Sequence, residues 1–343
     1  MNRRPTLPSA TRRIAFTLVE LLTVIAIISL LIGILIPSLS KARDQAKNAK
    51  TKAALKSIGD GLELFRNELE SEFRGYPPSR TTNTTDPSFN RDDPTESGNQ
   101  HISGAQLLVR YLMGKDFNGY VSRRSVPRAM IDAAVTGYEQ RDWYVTTPTG
   151  YNTIGALPRS GPYLPAEGIR TAQPKDVPGA PIPPTNTADV RADDRTMEQP
   201  VMLDTFEYPI LYYSANTQRS ADASAPMARF DEASGVKGIY QFKDNGLWTG
   251  LCLGTRTGAI CTTPWWDFGA GKHHISNFGP TDPPDRTNVA DDNETFCYYV
   301  MNRNAYETTN EQTVTPVKKD SFILISAGRD GLYGTRDDVT NFQ

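Results

Sequence analysis

The chain has 343 residues, with 37 Lys and Arg against 39 Asp and Glu and a net charge of -2. That near-balance gives no global case for nucleic-acid binding. It carries 25 Pro and 26 Gly, so much of it should be loop, and its length allows one large domain or two small ones. No G-x-S-x-G, H-E-x-x-H, P-loop or G-x-G-x-x-G is present, and no enzymatic role is expected. Acid pairs of the glycosidase kind need only spatial proximity, and nothing singles one out.

The first element is a long apolar run, FTLVELLTVIAIISLLIGILIPSL, from Phe16 to Leu39. As a helix it spans about 36 Å, enough to cross a hydrocarbon core of about 30 Å. Its one acid is Glu20, and no basic residue lies within the run. A carboxylate in a membrane helix is costly, so Glu20 is expected to be answered by a partner charge. A plain anchor and a signal peptide are the simpler alternatives. Signal-peptide apolar regions are shorter, about 7–15 residues, although Ser38-Leu39-Ser40 has a small-x-small pattern. Arg3, Arg4, Arg12 and Arg13 precede the run; Lys41, Arg43, Lys47, Lys50, Lys52 and Lys56 follow it. With bases on both flanks, loop charge alone does not decide the topology.

The segment Ala15-Phe16-Thr17-Leu18-Val19-Glu20 resembles the processing site of type IV prepilins and type II secretion pseudopilins. The resemblance implies cleavage between Ala15 and Phe16 by prepilin peptidase and methylation of the new amine. It implies that Glu20 is the assembly acid, pairing with the amine of a neighbouring subunit. Pro37 sits where the family often has a helix-bending proline. The usual Gly before the cut is replaced here by Ala15. The resemblance further implies an inner-membrane, single-pass protein with a cytoplasmic N-terminus. Its globular part would lie on the extracytoplasmic side, and its partners would be other pilin or pseudopilin subunits and an assembly platform.

Beyond the run the helix should continue. Leu55, Ile58, Leu62, Phe65 and Leu69 recur at spacings of three and four, with Lys56, Asp60, Glu63, Arg66 and Glu68 between them. That stripe should seat the helix against a sheet, and the helix should end near Arg74-Gly75, before Tyr76-Pro77-Pro78. Residues 79–100 read as loop. Gly104 to Met113 (GAQLLVRYLM) reads as a short amphipathic helix with Leu107, Leu108, Tyr111 and Leu112 apolar. Pro158 to Pro184 is proline-rich and expected to be irregular. Strand composition marks Ile210 to Tyr213, Ile239 to Phe242, Phe296 to Met301 and Phe322 to Ser326.

The expected fold is α+β: a long N-terminal helix packed on an antiparallel sheet, pilin-like, with large loop insertions. The expected division is a leader at 1–15, a transmembrane assembly helix at 16–39, an amphipathic continuation at 40–75 and a globular domain at 76–343. The insertions fall at about 79–200 and 214–301. Tyr76-Pro77-Pro78 looks like the family's Tyr-Pro turn, and Asp204 to Tyr213 loosely resembles its Asp-Pro-Trp-Gly-Asn-Pro-Tyr strand start.

The C-terminal strand runs into AGRDGLYGTRDDVTNF, a loop with Gly328, Gly331 and Gly334 for turning and Asp330, Asp337 and Asp338 as acids. Calcium takes six to eight oxygens, mixing carboxylates and carbonyls. The loop resembles the calcium loop of the major secretion pseudopilin. Carried over, Asp330 and Asp337 are the leading ligands, then Asp338, with carbonyls near Leu332 and Thr335. An acidic turn paired with Arg329 and Arg336 is the alternative. The spacing is not that of an EF-hand.

Three cysteines occur; Cys252 and Cys261 flank LGTRTGAI, a hairpin-like stretch, and are the preferred disulfide pair. Cys297 is left over. His273 and His274 follow Trp265, Trp266 and Asp267; adjacent histidines on a strand point to opposite faces, so a loop pair without function is the simpler reading. Asp291, Asp292 and Glu294 read as a solvated turn. A membrane-anchored ligand-binding or enzyme domain that borrowed a prepilin-type leader is the competing hypothesis for the chain.

Overall fold

The computed structural model describes residues 18–73, 75–79, 103–114, 116–122, 158–165, 167–177, 199–215, 239–240, 242–249, 296–300, 302 and 316–342. Two compact units are distinguished, Met1–Lys47 and Asn48–Gln343. The architecture is α+β, with a long N-terminal helix and small antiparallel sheets.

Helix α1 runs Leu18–Phe73. Gly33 and Pro37 are both accommodated inside it, and its only non-helical backbone angles are at Leu69. The described part of the first unit is the N-terminal stretch of this helix. Its large apolar residues are exposed from Leu18 (78 %) to Leu39 (48 %). One helix in the described residues, this one, is long and apolar enough to cross a membrane.

In the second unit the amphipathic stretch behaves as its spacing predicts. Leu55, Ile58, Leu62, Phe65 and Leu69 are all buried, while Leu64 between them is 57 % exposed. The helix ends at Phe73, and Tyr76 folds back to it. The Tyr76 hydroxyl donates to Glu63 Oε1 at 2.6 Å and accepts from Arg66 at 3.0 Å.

A three-stranded antiparallel sheet is built from β3 (Leu211–Ser214), β4 (Phe322–Ser326) and β5 (Val339–Thr340), in the order β3-β4-β5. Leu211 pairs with Ile325 and Ser214 with Phe322, and Ser326 pairs with Val339. A second, two-stranded sheet joins β1 (Thr171–Ala172) to β2 (Val201–Met202).

Every residue of β4 is buried, which explains why FILIS is a continuous apolar run rather than an alternating one. Alternate side chains enter different cores. Phe322 and Leu324, with Tyr212, join Leu55, Ile58, Leu62 and Phe65 of α1 and Leu107, Leu108 and Leu112 of helix α2 (Gly104–Met113). Ile323 and Ile325, with Leu211 and Tyr213, join a core made by Tyr240, Trp248, Phe296, Tyr299 and Val300. Phe322 lies close enough to α1 that a Cβ on Gly59 would stand 3.6 Å from its ring.

Helix α2 lies where GAQLLVRYLM predicts it, but all ten of its residues are buried, including Gln106 and Arg110. It is therefore a core layer, not a decoration within an insertion. Ser103 precedes it, and the Ser103 N–H donates to Gln106 Oε1 at 3.0 Å, a reciprocal cap. The Trp248 indole N–H donates to Ser103 Oγ at 2.8 Å.

Two expected strands are replaced among the described residues, one by a bend that precedes a 3-10 turn and the other by a short helix. After the bend at Ile239 and Tyr240, residues Phe242–Asn245 form a 3-10 turn that leads into α3 (Gly246–Thr249). Phe296–Val300 forms α4. Its aromatic composition suits a strand, but Phe296, Tyr299 and Val300, at i, i+3 and i+4, place one helical face on the sheet. The proline-rich stretch from 158 is more ordered than expected: Ser160 bridges Tyr120, and β1 and a turn at Pro174–Asp176 follow.

Phe65 touches the rings of Tyr111, Tyr120 and Tyr163 at centroid distances of 5.4–5.9 Å. Phe65→Ala is expected to lower stability by about 3–5 kcal/mol. Leu64→Ala, one residue away on the exposed face, should change it by less than about 0.5 kcal/mol. Chemical unfolding of the two detergent-solubilised variants beside the parent measures both; equal losses would contradict the assigned face.

Candidate functional site

Two regions carry the candidate residues. The first is the start of α1. Glu20 lies in the first helical turn and is exposed, with the hydroxyl of Thr23 donating to its backbone carbonyl at 2.9 Å. Pro37 lies in the same exposed stretch. Ala15 and Phe16 lie outside the described residues, as do Cys252, Cys261, His273, His274, Trp265, Trp266, Asp291, Asp292 and Glu294.

The second region joins the turn at 204–209 to the C-terminal loop. Asp204 is buried between β2 and β3. Its Oδ1 accepts the N–H groups of Phe206 (2.8 Å) and Tyr208 (2.9 Å). Its Oδ2 accepts the hydroxyl of Ser326 at the end of β4, at 2.6 Å. The Asp204 N–H donates to the Tyr208 carbonyl at 2.8 Å, closing a turn in which Glu207 takes a left-handed φ of 77°. Burial pushes the Asp204 carboxyl above the ordinary range, against the lowering pull of Ser326 and the backbone donors. The turn also meets α1, where the hydroxyls of Thr205 and the buried Thr51 lie 2.8 Å apart.

The C-terminal loop docks on this turn. The Tyr333 hydroxyl donates to the Pro209 carbonyl at 2.6 Å. Gly331 has φ +74°, and a Cβ there would stand 2.4 Å from Tyr208 Cζ; at Gly328, φ +65°, it would stand 2.3 Å from the Asp337 carbonyl oxygen. Both positions therefore need glycine on two counts, backbone angle and space.

The three acids of the loop act mainly on its own backbone. Asp337 Oδ2 accepts the N–H groups of Arg329 (2.8 Å) and Asp330 (3.0 Å), and its Oδ1 accepts the Thr335 hydroxyl at 2.6 Å. Asp330 Oδ1 accepts the Leu332 N–H at 2.8 Å. Asp338 Oδ2 accepts the Gly334 N–H at 2.8 Å and the Tyr299 hydroxyl of α4 at 2.5 Å. Burial pushes the Asp338 carboxyl up to about 8, and the charges of Asp330 and Asp337 add to that rise. Asp330 is also raised, by burial first and then by Asp337. Burial works against Asp337 as well, yet the donors from Thr335, Asp330 and Arg329 hold it below the ordinary range.

The fit to calcium is partial. Three carboxylates crowd one loop, which a divalent cation would relieve. Their oxygens are turned to protein donors, and among the described residues no group of three or more His, Cys, Asp or Glu is placed to hold a metal ion. The Leu332 carbonyl, one expected contributor, accepts the Thr335 hydroxyl at 3.3 Å.

Sequence reasoning found the Asp204 segment but not its role. An Asp followed at two and four residues by turn N–H groups is an Asx-turn signature, and that was the available signal. Tyr299 was hidden by the strand-like composition around it.

Asp204→Asn keeps an acceptor for both N–H groups and offers an N–H to Ser326. Asp204→Ala leaves those donors buried without an acceptor and should cost about 2–3 kcal/mol. Because the folded carboxyl of Asp204 is raised, its contribution is greatest below the usual carboxylate range near 3.8 and is lost as pH rises toward the folded value. The Asn variant should therefore gain on the parent as pH increases across that window. Thermal midpoints at stepped pH read the difference; a constant gap between parent and Asn variant would contradict the raised carboxyl.

Comparison of the chain with protein-family models, curated proteins and solved structures found no match.

Proposed function

We propose that the chain is a membrane-anchored structural subunit of a type IV pilus-like or type II secretion pseudopilus filament. The observation that carries this reading is the exposed apolar stretch of α1 with one acid, Glu20, in its first turn. A helix apolar on all sides needs lipid or other helices around it. One surface can meet both needs: lipid in the stored subunit, helices of other copies in the filament. The resemblance at Ala15 to Glu20 supplies the chemistry. Prepilin peptidase would cut before Phe16 and leave a methylated amine, and that ammonium would answer Glu20 of the adjoining copy in surroundings of low dielectric.

In this reading the N-terminus faces the cytoplasm, the inner membrane holds residues 16–39, and the sheet domain lies outside. The pilin-like character of that domain is part of the proposal. Its support is the amphipathic half of α1 seated on an antiparallel sheet whose last strands close the chain.

Glu20→Ala should stay in the membrane fraction while cross-linked multimers fall by at least about tenfold, as expected for breaking a desolvated ion pair. Normal incorporation of that variant would remove the mechanism. Mass analysis of the mature N-terminus should find N-methylated Phe16; an intact Met1 would leave a simple anchor, and a start near Lys41 ordinary secretion.

A calcium ion at the C-terminal loop is the second reading, favoured by the crowding of Asp330, Asp337 and Asp338. A ligand at about a hundred times its dissociation constant stabilises by about 2.7 kcal/mol. Calcium should then raise the unfolding midpoint of the full chain by several degrees over chelator, and Asp330→Asn should abolish the rise. An unchanged midpoint would mean that the loop is closed by its own hydrogen bonds.

A further inference from the structure

The bases that follow the apolar run have no part in the assembly mechanism, and they run against a simple charge rule for topology. From Lys41 to Lys56 the sequence holds six basic residues and one acid, Asp44, in a chain whose net charge is -2. Lys41, Arg43 and Lys47 are the nearest to the apolar run, all on α1 and all exposed.

We infer that Lys41, Arg43 and Lys47 form a collar that binds anionic phospholipid headgroups, in the leaflet at the C-terminal end of the apolar run. This rests on the reading that residues 16–39 span a membrane. Two geometric facts point to lipid. At about 1.5 Å per residue, Lys41 and Arg43 lie about 3 and 6 Å beyond Leu39, and Lys47 about 12 Å. A headgroup layer is about 5–8 Å thick on each side of the hydrocarbon core, so the first two lie inside it. Lys47 lies just outside, and its long side chain can reach back.

The second fact is angular. At about 100° per residue, Arg43 and Lys47 project roughly 160° and 120° away from Lys41. Arg43 and Lys47 thus share one face, about 40° apart, with Lys41 on the opposite side; one docked protein surface would meet only one of these sides, whereas a headgroup layer meets both. The phosphate diester of an anionic lipid supplies the complementary charge, and the attraction fades within a Debye length of about 8–10 Å.

The test uses the full chain in detergent, offered equal amounts of phosphatidylglycerol and phosphatidylcholine, with retained lipid read by native mass spectrometry. The parent should retain the anionic lipid by at least about tenfold over the zwitterionic one, and less so at high salt. Changing Lys41→Glu, Arg43→Glu and Lys47→Glu together should erase the preference, whereas Lys41→Arg with Lys47→Arg should keep it. Equal retention by the parent would overturn the collar, as would an unaltered preference in the triple variant. Displacement of the lipid by an equal concentration of inorganic phosphate would identify a free-anion site and overturn it too. A triple variant that keeps its lipid but loses self-association would make the bases a contact between copies, again overturning the proposal. Carbonate extraction of the parent from native membranes is the control. Release there would sink the membrane-spanning reading and the collar with it, whereas retention with no lipid preference sinks the collar alone.

Discussion

Strand β4 is buried at every position from Phe322 to Ser326, and its side chains of both parities enter dry surroundings. That constraint organises the second unit. A sheet with two apolar faces needs two covering layers, and a single amphipathic helix supplies only one. Helices α1 and α2 cover the face of Phe322 and Leu324. The face of Ile323 and Ile325 must be covered by something else, and the chain uses Tyr240, Trp248, Phe296 and Tyr299. Short helical segments suffice there because each contributes one or two large rings, and such rings bury about 150–250 Å² apiece.

The β3 edge of the sheet is met by side chains. At β3 the Ser214 N–H donates to Ser79 Oγ at 3.0 Å, and the Tyr212 carbonyl accepts from Asn245 Nδ2 at 2.8 Å. These contacts satisfy an edge that would otherwise invite another strand. Asn245 also accepts the Ala105 N–H at 2.8 Å, so one amide joins the sheet edge to α2. Asp204 does comparable work at the other end of β3, joining the turn, the end of β4 and, through Thr205 and Thr51, α1. The C-terminal loop then packs on that turn through Gly331 and Tyr333. A carboxylate with three donors is well suited to such a junction, because leaving any one of those groups unsatisfied in a buried place costs about 1–3 kcal/mol.

The elements legible in the sequence were those whose pattern had one physical meaning. The stripe Leu55, Ile58, Leu62, Phe65, Leu69 fits only the helical period, and every member is buried. FILIS fits a strand covered on both sides, and GAQLLVRYLM a short helix. FCYYV was not legible in the same way, because a short run of aromatic and β-favouring residues satisfies either period until its surroundings are known. The full burial of Gln106 and Arg110 depends on layers contributed by remote segments, which no local pattern records. The C-terminal acids illustrate another limit. A sequence displays acceptors, and three aspartates near three glycines suggest a cation. The donors that meet them here are mostly backbone N–H groups, which every sequence contains and none displays.

The proposed assembly chemistry draws its economy from where Glu20 sits. A carboxylate in the middle of an apolar helix would meet only side chains and closed peptide hydrogen bonds. Once the chain began at Phe16, Glu20 would lie within about a turn of N–H groups with no intrahelical acceptor, equivalent together to roughly half a positive charge. In the proposed mechanism, cleavage before Phe16 would add a full positive charge at the same end of each helix. The acid would then be tolerated in its own chain by the helix terminus and attracted between chains by the amine. Those two interactions differ in reach. The dipole term fades within a turn, whereas a full charge in hydrocarbon acts over several ångströms with little screening. A single acid can therefore be quiet in the stored subunit and decisive at the interface, provided it stays within the first turn. Moving it a turn or two along the helix would forfeit the first interaction without improving the second.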